Sequence, residues 1–600
     1  MRSTPLFVCD EKIFLTKKNK TGVAEINDHE NSRKRRMREN LYRELLKKYC
    51  DALISLQDKS DDKAFRGGIY CRACKNIHGR CPDAVYGFVV AAKIFGDEKY
   101  LQAAKDVFAY GENLLCDDGG MYNDAQTTWR YTTTFHQTAV IESLRAGAEI
   151  LDEATKSAFE NRARKMAEWL YENLDEHSPA NINYATTNGL ALALSGNYFH
   201  EQRYLDRAKR LVAYAMEHIT ENGLLYGESK PHDKASAKGC KAVDIGYNVE
   251  ESVPALVKYA FEVGDEELKE RLVEIVRAHL DFMFPDGGWD NSFGNRNNKW
   301  TYWGSRTSDG CAPMFLLLAD RDPAFAEAAY RNAKMLAKCT IDGFLYGGPH
   351  YFKRGEYACT HHAFEHINSL AFVIEHMDEK YLSPRRTKIP SDSTDLFGYY
   401  PEVRTFKIAK GDYLATITDY DFDIFFSGHA TGGTLTALYN RKIGPMIMGS
   451  VTDYVLVEPT NMQQVKDREN HRSLLPRLVK TVDDKEYSST CYLDAEMTGI
   501  AAKDGYRISA ATGLATNKGE NLSASKPKIE YILTESGLKI SISRAEGMKF
   551  LLPLIGGKIK VTDGKIDSKK EIFFLTGGFI AQEYSVLPDL SGNIEFLIEA

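Results

Sequence analysis

Apolar residues recur every three to four positions through most of residues 38 to about 377, a spacing typical of amphipathic helices. About a dozen such runs follow one another, among them Leu41–Leu56 and Leu268–Phe284. The connections alternate between short ones, such as residues 96–97, and long polar ones, such as residues 222–244. Paired inner and outer helices of an α/α toroid produce this alternation, with the long loops gathered around a cleft. A stacked solenoid would repeat its sequence pattern at a fixed period, and no such repeat occurs. We therefore predict an incomplete (α/α)6-7 toroid.

The pattern changes after Tyr381. Residues 381–403 are rich in proline, serine and charge, and from Phe406 onward short alternating β-branched segments are separated by glycine, asparagine and aspartate. These segments indicate antiparallel strands. A chain of 600 residues also exceeds what one core supports. We therefore predict an α+β multidomain chain: a helical toroid at residues 1–380, a linker at 381–403 and an antiparallel β-sandwich at 404–600.

Charge and composition limit the possible partners. The formal net charge of -7 argues against non-specific binding to nucleic acid. No run of about 18 apolar residues occurs, so we predict no membrane span, and residues 1–14 contain no signal-peptide core. The expected location is the cytoplasm, or the periplasm or exterior if a signal peptide has already been removed. The eleven cysteines are scattered and odd in number, which favours reduced thiols. The oligomeric state stays open.

Two helix starts carry more polar side chains than a cap requires. Three asparagines and two threonines fall within residues 181–188, whereas one capping side chain is enough for a helix. An asparagine can hold a carboxylate without competing for its proton, so Asn183 and Asn188 are candidate ligand contacts. Tyr247 begins a later helix, where helix dipoles or an arginine would make its phenolate more accessible. The alternatives are capping for the asparagines and packing for the tyrosine.

The segment around His78 allows three interpretations. Cys71, Cys74, His78 and Cys81 have a spacing that zinc ligands adopt. The segment also opens directly into a helix, so it could be a rim loop whose His78 and Arg80 face the cleft and bind substrate. Plain loop packing is the third interpretation.

Tryptophan and arginine are concentrated in one long loop. Trp289, Trp300 and Trp303 are three of the five tryptophans, and Arg306 follows them. A sugar-acid subsite needs an aromatic stacking face and a bidentate clamp for a carboxylate or sulfate. Trp300, Trp303 and Arg306 are therefore candidate substrate-binding residues.

Several histidines are further candidates. His136 lies in the first turn of a helix, where an imidazole tends to be neutral, and it could bind substrate or simply pack. His361 and His362 start another helix; they could bind substrate, join a buried polar network or hold a metal, although the His-Glu-x-x-His order is absent. His429 lies on a Gly-rich edge of the β-domain, from which it could reach the cleft.

The predicted architecture, the polar clusters 181–189 and 244–252, and the Gly428-His429 turn resemble the heparinase II/III-like polysaccharide lyases. The resemblance spans nearly the whole chain in architecture but is specific only at these motifs. It is strongest to the glycosaminoglycan-lyase branch, while rhamnose-glucuronate and ulvan-type lyases remain open. Some members hold a divalent metal in the β-domain, and the chemistry of the family requires no cofactor.

The resemblance implies roles for four residues. Asn188 matches the group that neutralises the uronate carboxylate, with His136 as a second candidate. Tyr247 matches the tyrosine that exchanges the proton, and His429 matches an assisting histidine. The chain departs from the common family form because Gly189, not a histidine, follows Asn188, which puts the neutralising residue in question.

These features predict a lyase that cleaves an acidic polysaccharide by β-elimination, with heparan sulfate, chondroitin sulfate or hyaluronan as the expected substrates and 4,5-unsaturated uronate ends as products. One alternative is a toroid glycoside hydrolase that acts on uronyl oligosaccharides. It would need paired carboxylates, and Asp124, Asp244, Asp290 and Asp309 lie in the long loops. The other alternative is a glycan-binding protein without catalytic activity.

Overall fold

The computed structural model describes residues 40–124, 127–178, 180–228, 234–383, 386–422, 430–451, 473–522, 526–574 and 576–600. Twelve helices of six or more residues lie in the N-terminal part of these ranges. They are α1 (Leu41–Leu56), α2 (Val85–Phe95), α3 (Glu98–Tyr110), α4 (Thr133–Ala146), α5 (Glu153–Asn173), α6 (Ile182–Phe199), α7 (Gln202–Met216), α8 (Val253–Val263), α9 (Glu266–Leu280), α10 (Ala312–Leu317), α11 (Pro323–Lys338) and α12 (Thr360–His376).

The helices alternate between an inner and an outer ring. The even-numbered helices α2 to α12 contact one another in sequence around the axis, and each packs on an odd-numbered outer helix. The last inner helix, α12, packs against both α1 and α2, so the ring closes with α1 as the outer partner of α12. The toroid is therefore a closed ring of six hairpins within the described residues, in which α1 pairs with the far end of the domain, and the predicted helical toroid is confirmed.

Inner and outer helices begin differently. Asn40, Asp97, Asp152, Asp265 and Asp322 cap outer helices by accepting a hydrogen bond from a backbone N–H of the first turn. None of the inner helices α2 to α12 has a side-chain hydrogen bond from its own N-cap residue. The N-terminal N–H groups of the inner helices thus lack this local partner, and these ends carry the partial positive charge of the helix dipole.

Three small hairpins lie in the loops of the toroid: β1 (Tyr70–Cys71) with β2 (Asn76–Ile77), β3 (Trp300–Thr301) with β4 (Gly304–Ser305), and β5 (Thr340–Ile341) with β6 (Phe344–Leu345). A helical turn, Ile245–Tyr247, and a π-helical turn, Asn248–Ser252, lead into α8. Among the described residues no helix has the length and apolar character needed to cross a bilayer.

The C-terminal part consists of three antiparallel sheets. Its strands are β7 (Asp395–Tyr400), β8 (Thr405–Lys410), β9 (Tyr413–Thr418), β10 (Thr434–Asn440), β11 (Gly444–Met448), β12 (Arg477–Val482), β13 (Lys485–Ser488), β14 (Glu496–Ala502), β15 (Gly505–Ala511), β16 (Lys528–Thr534), β17 (Gly537–Ser543), β18 (Lys549–Leu554), β19 (Lys558–Asp563), β20 (Lys565–Phe574), β21 (Phe579–Leu587) and β22 (Ile594–Glu599). The sheet orders are β11-β10-β9-β8-β7, β13-β12-β18-β21-β20 and β14-β15-β16-β17-β22-β19.

The sheet β7–β11 joins the two domains. Ala409, Leu414 and Tyr439 belong to the apolar core shared with the toroid, while Ile408 and Ile417 belong to the core shared with the other sheets. Strands buried on both faces need apolar residues at consecutive positions, and β9 and β10 are buried throughout. Strand β7 lies inside residues 381–403, so the second domain begins before the predicted linker ends.

Candidate active site

The Tyr247 hydroxyl lies among two cations and a hydroxyl group. It is 3.0 Å from Lys299 Nζ, 3.3 Å from Arg296 Nη2 and 2.5 Å from Thr307 Oγ1. The Arg296 guanidinium also lies over the phenol ring, 4.1 Å from its centroid. Positive charge at hydrogen-bonding distance stabilises negative charge on an oxygen. The two cations therefore stabilise the phenolate form of Tyr247.

Asp244 fixes the tyrosine relative to the loop that carries both cations. One carboxylate oxygen accepts from the backbone N–H of Tyr247 at 3.0 Å, and the other accepts from the backbone N–H of Arg296 at 2.8 Å. The amide of Asn291 donates to both oxygens, and its own oxygen accepts from the N–H of Ile245. The start of the helical turn and the loop are therefore one hydrogen-bonded unit.

The β-domain supports the same loop from the other side. Thr416 on β9 donates to Asp290 Oδ2 at 2.6 Å, and Ser292 hydrogen-bonds Thr436 on β10 at 2.9 Å. All four side chains are buried. A sheet buried on both faces is a rigid support, so the loop between α9 and α10 is held between the two domains.

Glu228 is a buried carboxyl next to this cluster. It accepts from Arg296 Nη1 at 3.2 Å and from Ser252 Oγ at 3.3 Å. Burial raises its pKa to about 7, although Arg296 opposes the shift. At neutral pH this carboxyl is therefore partly protonated and offsets only part of the charge on Arg296.

The two candidate asparagines of α6 point to different places. The Asn183 amide donates to Glu251 Oε1 in the π-helical turn, and within the described ranges its own Oδ1 has no hydrogen-bond partner. The Asn188 amide donates to the backbone carbonyl of Leu174 at 3.4 Å, behind the inner helix. The structure therefore brings Asn183 to the segment that follows Tyr247 and places Asn188 between α6 and the end of α5.

Arg80 joins the site through Thr307. Its Nη1 donates to the Thr307 carbonyl at 3.0 Å, its Nε donates to Asp83 at 3.0 Å, and its Nη2 lies 2.9 Å from Glu365 Oε1. The guanidinium also stacks on the Phe135 ring at 3.8 Å. Arg80 is thus buried with its charge shared between two carboxylates, and its substrate-binding role stays a prediction.

His136 is engaged elsewhere. Its Nδ1 lies 3.4 Å from Asp83 Oδ1, and its Nε2 lies 3.3 Å from Arg162 Nη1 on α5. Burial lowers its pKa below the usual value. His136 is therefore a core histidine, and the structure does not bring it to Tyr247.

The histidines of α12 are also fully buried. The His361 ring stacks on Phe364, and its Nε2 lies 3.2 Å from Glu365 Oε1. His362 Nδ1 bonds the Leu345 carbonyl at 2.9 Å, and burial lowers the pKa of His362 to about 3. His361 is thereby linked to the Arg80–Glu365 pair, while His362 belongs to a buried polar network, one of the alternatives that the sequence left open.

Trp300 and Trp303 pack inside the protein and present no face to a sugar. Both side chains are fully buried, and both indole N–H groups donate to backbone carbonyls, at 3.0 Å and 2.8 Å respectively. Arg306 is likewise buried and donates to the Tyr351 hydroxyl at 3.1 Å. The prediction that these three residues stack on a sugar or clamp an acidic group is wrong. They pack inside the protein, because the loop that carries them folds into the domain interface.

Two predicted residues remain. His78 lies with Cys71, Cys74 and Cys359, within reach of a shared metal ion, instead of facing the cleft. His429 lies outside the described residues, so its assisting role stays a prediction. Among the residues that the structure describes, this cluster in the helical domain is the one group of histidine, cysteine and carboxylate side chains with metal-binding geometry; a metal in the β-domain also stays a prediction.

Carboxyl groups line the central cavity of the toroid. Glu142, Glu250, Glu251, Asp309 and Glu365 surround it together with apolar side chains. Burial raises the pKa of Glu250, raises that of Glu251 to about 7, and raises that of Glu365 well above its usual range. Raised pKa values reduce the negative charge near neutral pH, so the cavity repels an acidic polymer less than its composition suggests.

No sequence motif singles out Arg296, Lys299 or Thr307. The available signal was a pair of cations in a loop dense in asparagine, glycine and tryptophan. Their contacts with Tyr247 span 49, 52 and 60 positions, which no local pattern encodes.

Comparisons with known proteins agree with this architecture. The family model for the ulvan lyase N-terminal domain matches residues 46–392, and the model for the ulvan lyase C-terminal domain matches residues 397–573. A broad-specificity ulvan lyase from Formosa agariphila is 35% identical over 529 residues, which cover 86% of this chain and 82% of that protein.

Among solved structures, heparinase III has a TM-score of 0.46 at 11% identity over 85% of this chain and 75% of its own. The heparan sulfate lyase HepC from Pedobacter heparinus has a TM-score of 0.39 at 10% identity over 85% of this chain and 74% of its own. The two family models together cover the toroid and much of the β-domain, and the curated relative matches over most of both lengths. The chain therefore belongs to the ulvan lyase family and is a polysaccharide lyase.

Proposed function

We propose that this lyase cleaves ulvan by β-elimination at a uronate residue and that Tyr247 moves the proton. The observation that carries the proposal is the position of the Tyr247 hydroxyl between Lys299 and Arg296 in a chain of this family. The family models and the name of the 35% identical relative support ulvan over the glycosaminoglycans expected from the sequence.

The chemistry sets two requirements. The proton on C5 of a uronate is only weakly acidic unless the neighbouring carboxylate is bound by hydrogen-bond donors or cations, which also stabilise the negative charge that develops on it. A base must then lie within hydrogen-bonding reach of that proton. The Tyr247 cluster offers both kinds of group within one small volume.

Tyr247 serves as the base in this proposal. Its phenolate oxygen takes the C5 proton, the C4–O bond breaks, and a C4=C5 double bond forms. The same hydroxyl then returns the proton to the departing oxygen, so atoms and charge balance over the cycle. Lys299 and Arg296 stabilise the phenolate before the proton moves, and Thr307 fixes its direction by hydrogen bonding.

Asn183 is the amide that we assign to the uronate carboxylate. Its nitrogen carries two hydrogens, one of which is directed at Glu251. The amide does not ionise, so its ability to donate does not change with pH. Asn188, the residue that the family resemblance put forward, uses its amide on a backbone carbonyl behind α6. Lys299 and Arg296 add the positive charge that an acidic substrate requires.

A substrate screen tests the proposal. Purified enzyme is incubated with ulvan, heparan sulfate, chondroitin sulfate, hyaluronan and alginate, and the ultraviolet absorbance of the conjugated double bond is followed. We expect absorbance to rise on ulvan and to rise more slowly or not at all on the others. Equal or faster turnover of a glycosaminoglycan, or no unsaturated product from ulvan, would contradict the assignment.

A further inference from the structure

Three thiols and one imidazole converge away from the Tyr247 cluster. Cys71 ends β1, Cys74 lies in the hairpin turn, His78 follows β2, and Cys359 immediately precedes α12. One potential ligand atom from each lies within 4.8 Å of all the others. All four side chains are buried, with exposed fractions of 2% or less.

The distances from Cys359 are close to the edges of a metal tetrahedron. Cys359 Sγ lies 3.9 Å from Cys71 Sγ, 3.5 Å from Cys74 Sγ and 3.5 Å from His78 Nε2. A tetrahedral zinc ion with sulfur at about 2.3 Å and nitrogen at about 2.0–2.1 Å spaces its ligands about 3.5–3.8 Å apart. A disulfide would require about 2.05 Å between sulfurs, so these thiols are too far apart to be bonded to each other.

Ordinary packing does not explain the arrangement equally well. A buried cysteine normally behaves as a small apolar side chain, and apolar packing sets no requirement that three sulfurs and a ring nitrogen point at one spot. The backbone N–H of Cys74 also points at Cys71 Sγ, at 3.3 Å, an interaction that favours a thiolate. Cys81, which has suitable spacing in the sequence, packs instead in the main toroid core.

We propose that Cys71, Cys74, His78 and Cys359 bind one zinc ion. Three cysteines and one histidine are a ligand set of closed structural zinc sites, in which the protein fills every coordination position. The ion would therefore have no open position for substrate or water, and its role is structural. Softer thiolate ligands in a tetrahedron also disfavour calcium and magnesium, which take oxygen ligands.

The position of the site indicates which parts of the fold the ion would hold together. Cys71 and Cys359 are 288 residues apart, and they belong to the two ends of the helical ring that meet where α12 packs on α1 and α2. His78 lies two residues before Arg80, and Cys359 lies two residues before His361. Zinc would thus close the ring and fix the two segments that carry the Arg80–Glu365 ion pair.

Metal analysis of the full-length protein tests the site. Wild type, Cys359→Ser and Cys81→Ser are purified from zinc-supplemented cultures without chelator, and bound zinc is measured by plasma mass spectrometry. We expect one zinc per chain in the wild type and in Cys81→Ser, and loss of most of it in Cys359→Ser. Zinc retained in Cys359→Ser, or lost in Cys81→Ser alone, overturns the ligand assignment.

A second measurement covers the case in which Cys359→Ser does not fold. Wild-type protein produced with cobalt should show thiolate-to-cobalt charge transfer in the ultraviolet and the intense visible bands of tetrahedral cobalt. Their absence from folded, active protein, together with reaction of the native thiols with a thiol reagent, overturns the proposal. A Cys71–Cys359 or Cys74–Cys359 disulfide in a non-reduced digest overturns it as well. Neither readout depends on which polysaccharide is cleaved.

Discussion

Replacing Lys299 with methionine should move the pH dependence of catalysis. The substitution keeps a long unbranched side chain in a buried position but removes the ammonium group 3.0 Å from the Tyr247 oxygen. Without that charge a phenolate at Tyr247 is less stable, so a higher pH is needed to form it. The acidic limb of the profile of kcat/KM against pH should therefore move to higher pH.

The contact distance bounds the size of the effect. Two unit charges at 3.0 Å attract by about 5.5 kcal/mol at an effective dielectric constant of about 20, which is an upper bound before desolvation is counted. A hydrogen bond to a charged group contributes about 1.5–3 kcal/mol net. At about 1.36 kcal/mol per pH unit, the limb should move by about one to two units. Activity on the acidic limb should fall about ten- to a hundredfold.

The assay is the initial rate of ultraviolet absorbance on ulvan across a pH series. Lys299→Arg, which keeps the charge, should retain a limb closer to that of the wild type. Lys269→Met is the matched control, because this buried lysine pairs with Glu266 on α9, away from the site. The reasoning is refuted if Lys299→Met lowers the rate equally at every pH, or if Lys269→Met moves the limb as far.

Three further predictions concern other parts of the site. Asn183→Ala should lower kcat/KM on ulvan about a hundred- to a thousandfold, as the loss of one donor to developing charge does. Asn188→Ala should lower Tm but keep a rate near that of wild type. A larger loss of rate in Asn188→Ala than in Asn183→Ala would restore Asn188 as the neutralising residue. Burial raises the Glu228 pKa from 4.5 to about 7, so the stability from this group is complete below about pH 4.5 and is lost as pH rises through about 7. Glu228→Gln should therefore flatten the dependence of Tm on pH in that window, and an unchanged slope would contradict the shift. A Cβ on Gly304 would lie 1.9 Å from a buried glutamate carboxyl carbon, so Gly304→Ala should lower Tm and activity in thermal-melt and rate assays, while Gly398→Ala, whose nearest contact is 3.4 Å, should change neither.

The architecture could be predicted from sequence because it follows from local patterns. Helical periodicity and alternating loop lengths define hairpins, and β-branched alternation defines strands. The pairing of α1 with α12 joins opposite ends of the domain, so no local pattern encodes it. The two-sided burial of β9 explains why its apolar residues are consecutive. The sequence does not show that the toroid covers one of the two faces.

The site was only partly predictable, because most of its contacts join residues that are far apart in the chain. Tyr247 in a helix start is a local feature, and it lies where expected, in the turn that Asp244 caps. Asn183 and Asn188 are five positions apart, which turns their side chains about 140° from each other around the helix, and the sequence does not specify which of them faces the cleft. Three cysteine and histidine ligands are neighbours in sequence, whereas Cys359 joins them only through the closure of the ring.

The measurement that tests the central claim most directly is the rate of Tyr247→Phe on ulvan. Removing the hydroxyl removes the group proposed to move the proton, so kcat should fall by about 10²–10⁴-fold while binding of ulvan oligosaccharide by calorimetry is retained. Tyr42→Phe is the control, because the buried Tyr42 hydroxyl has no hydrogen-bond partner among the residues that the structure describes and lies on an outer helix. A Tyr247→Phe rate within about tenfold of wild type, with the same unsaturated product, would contradict the account.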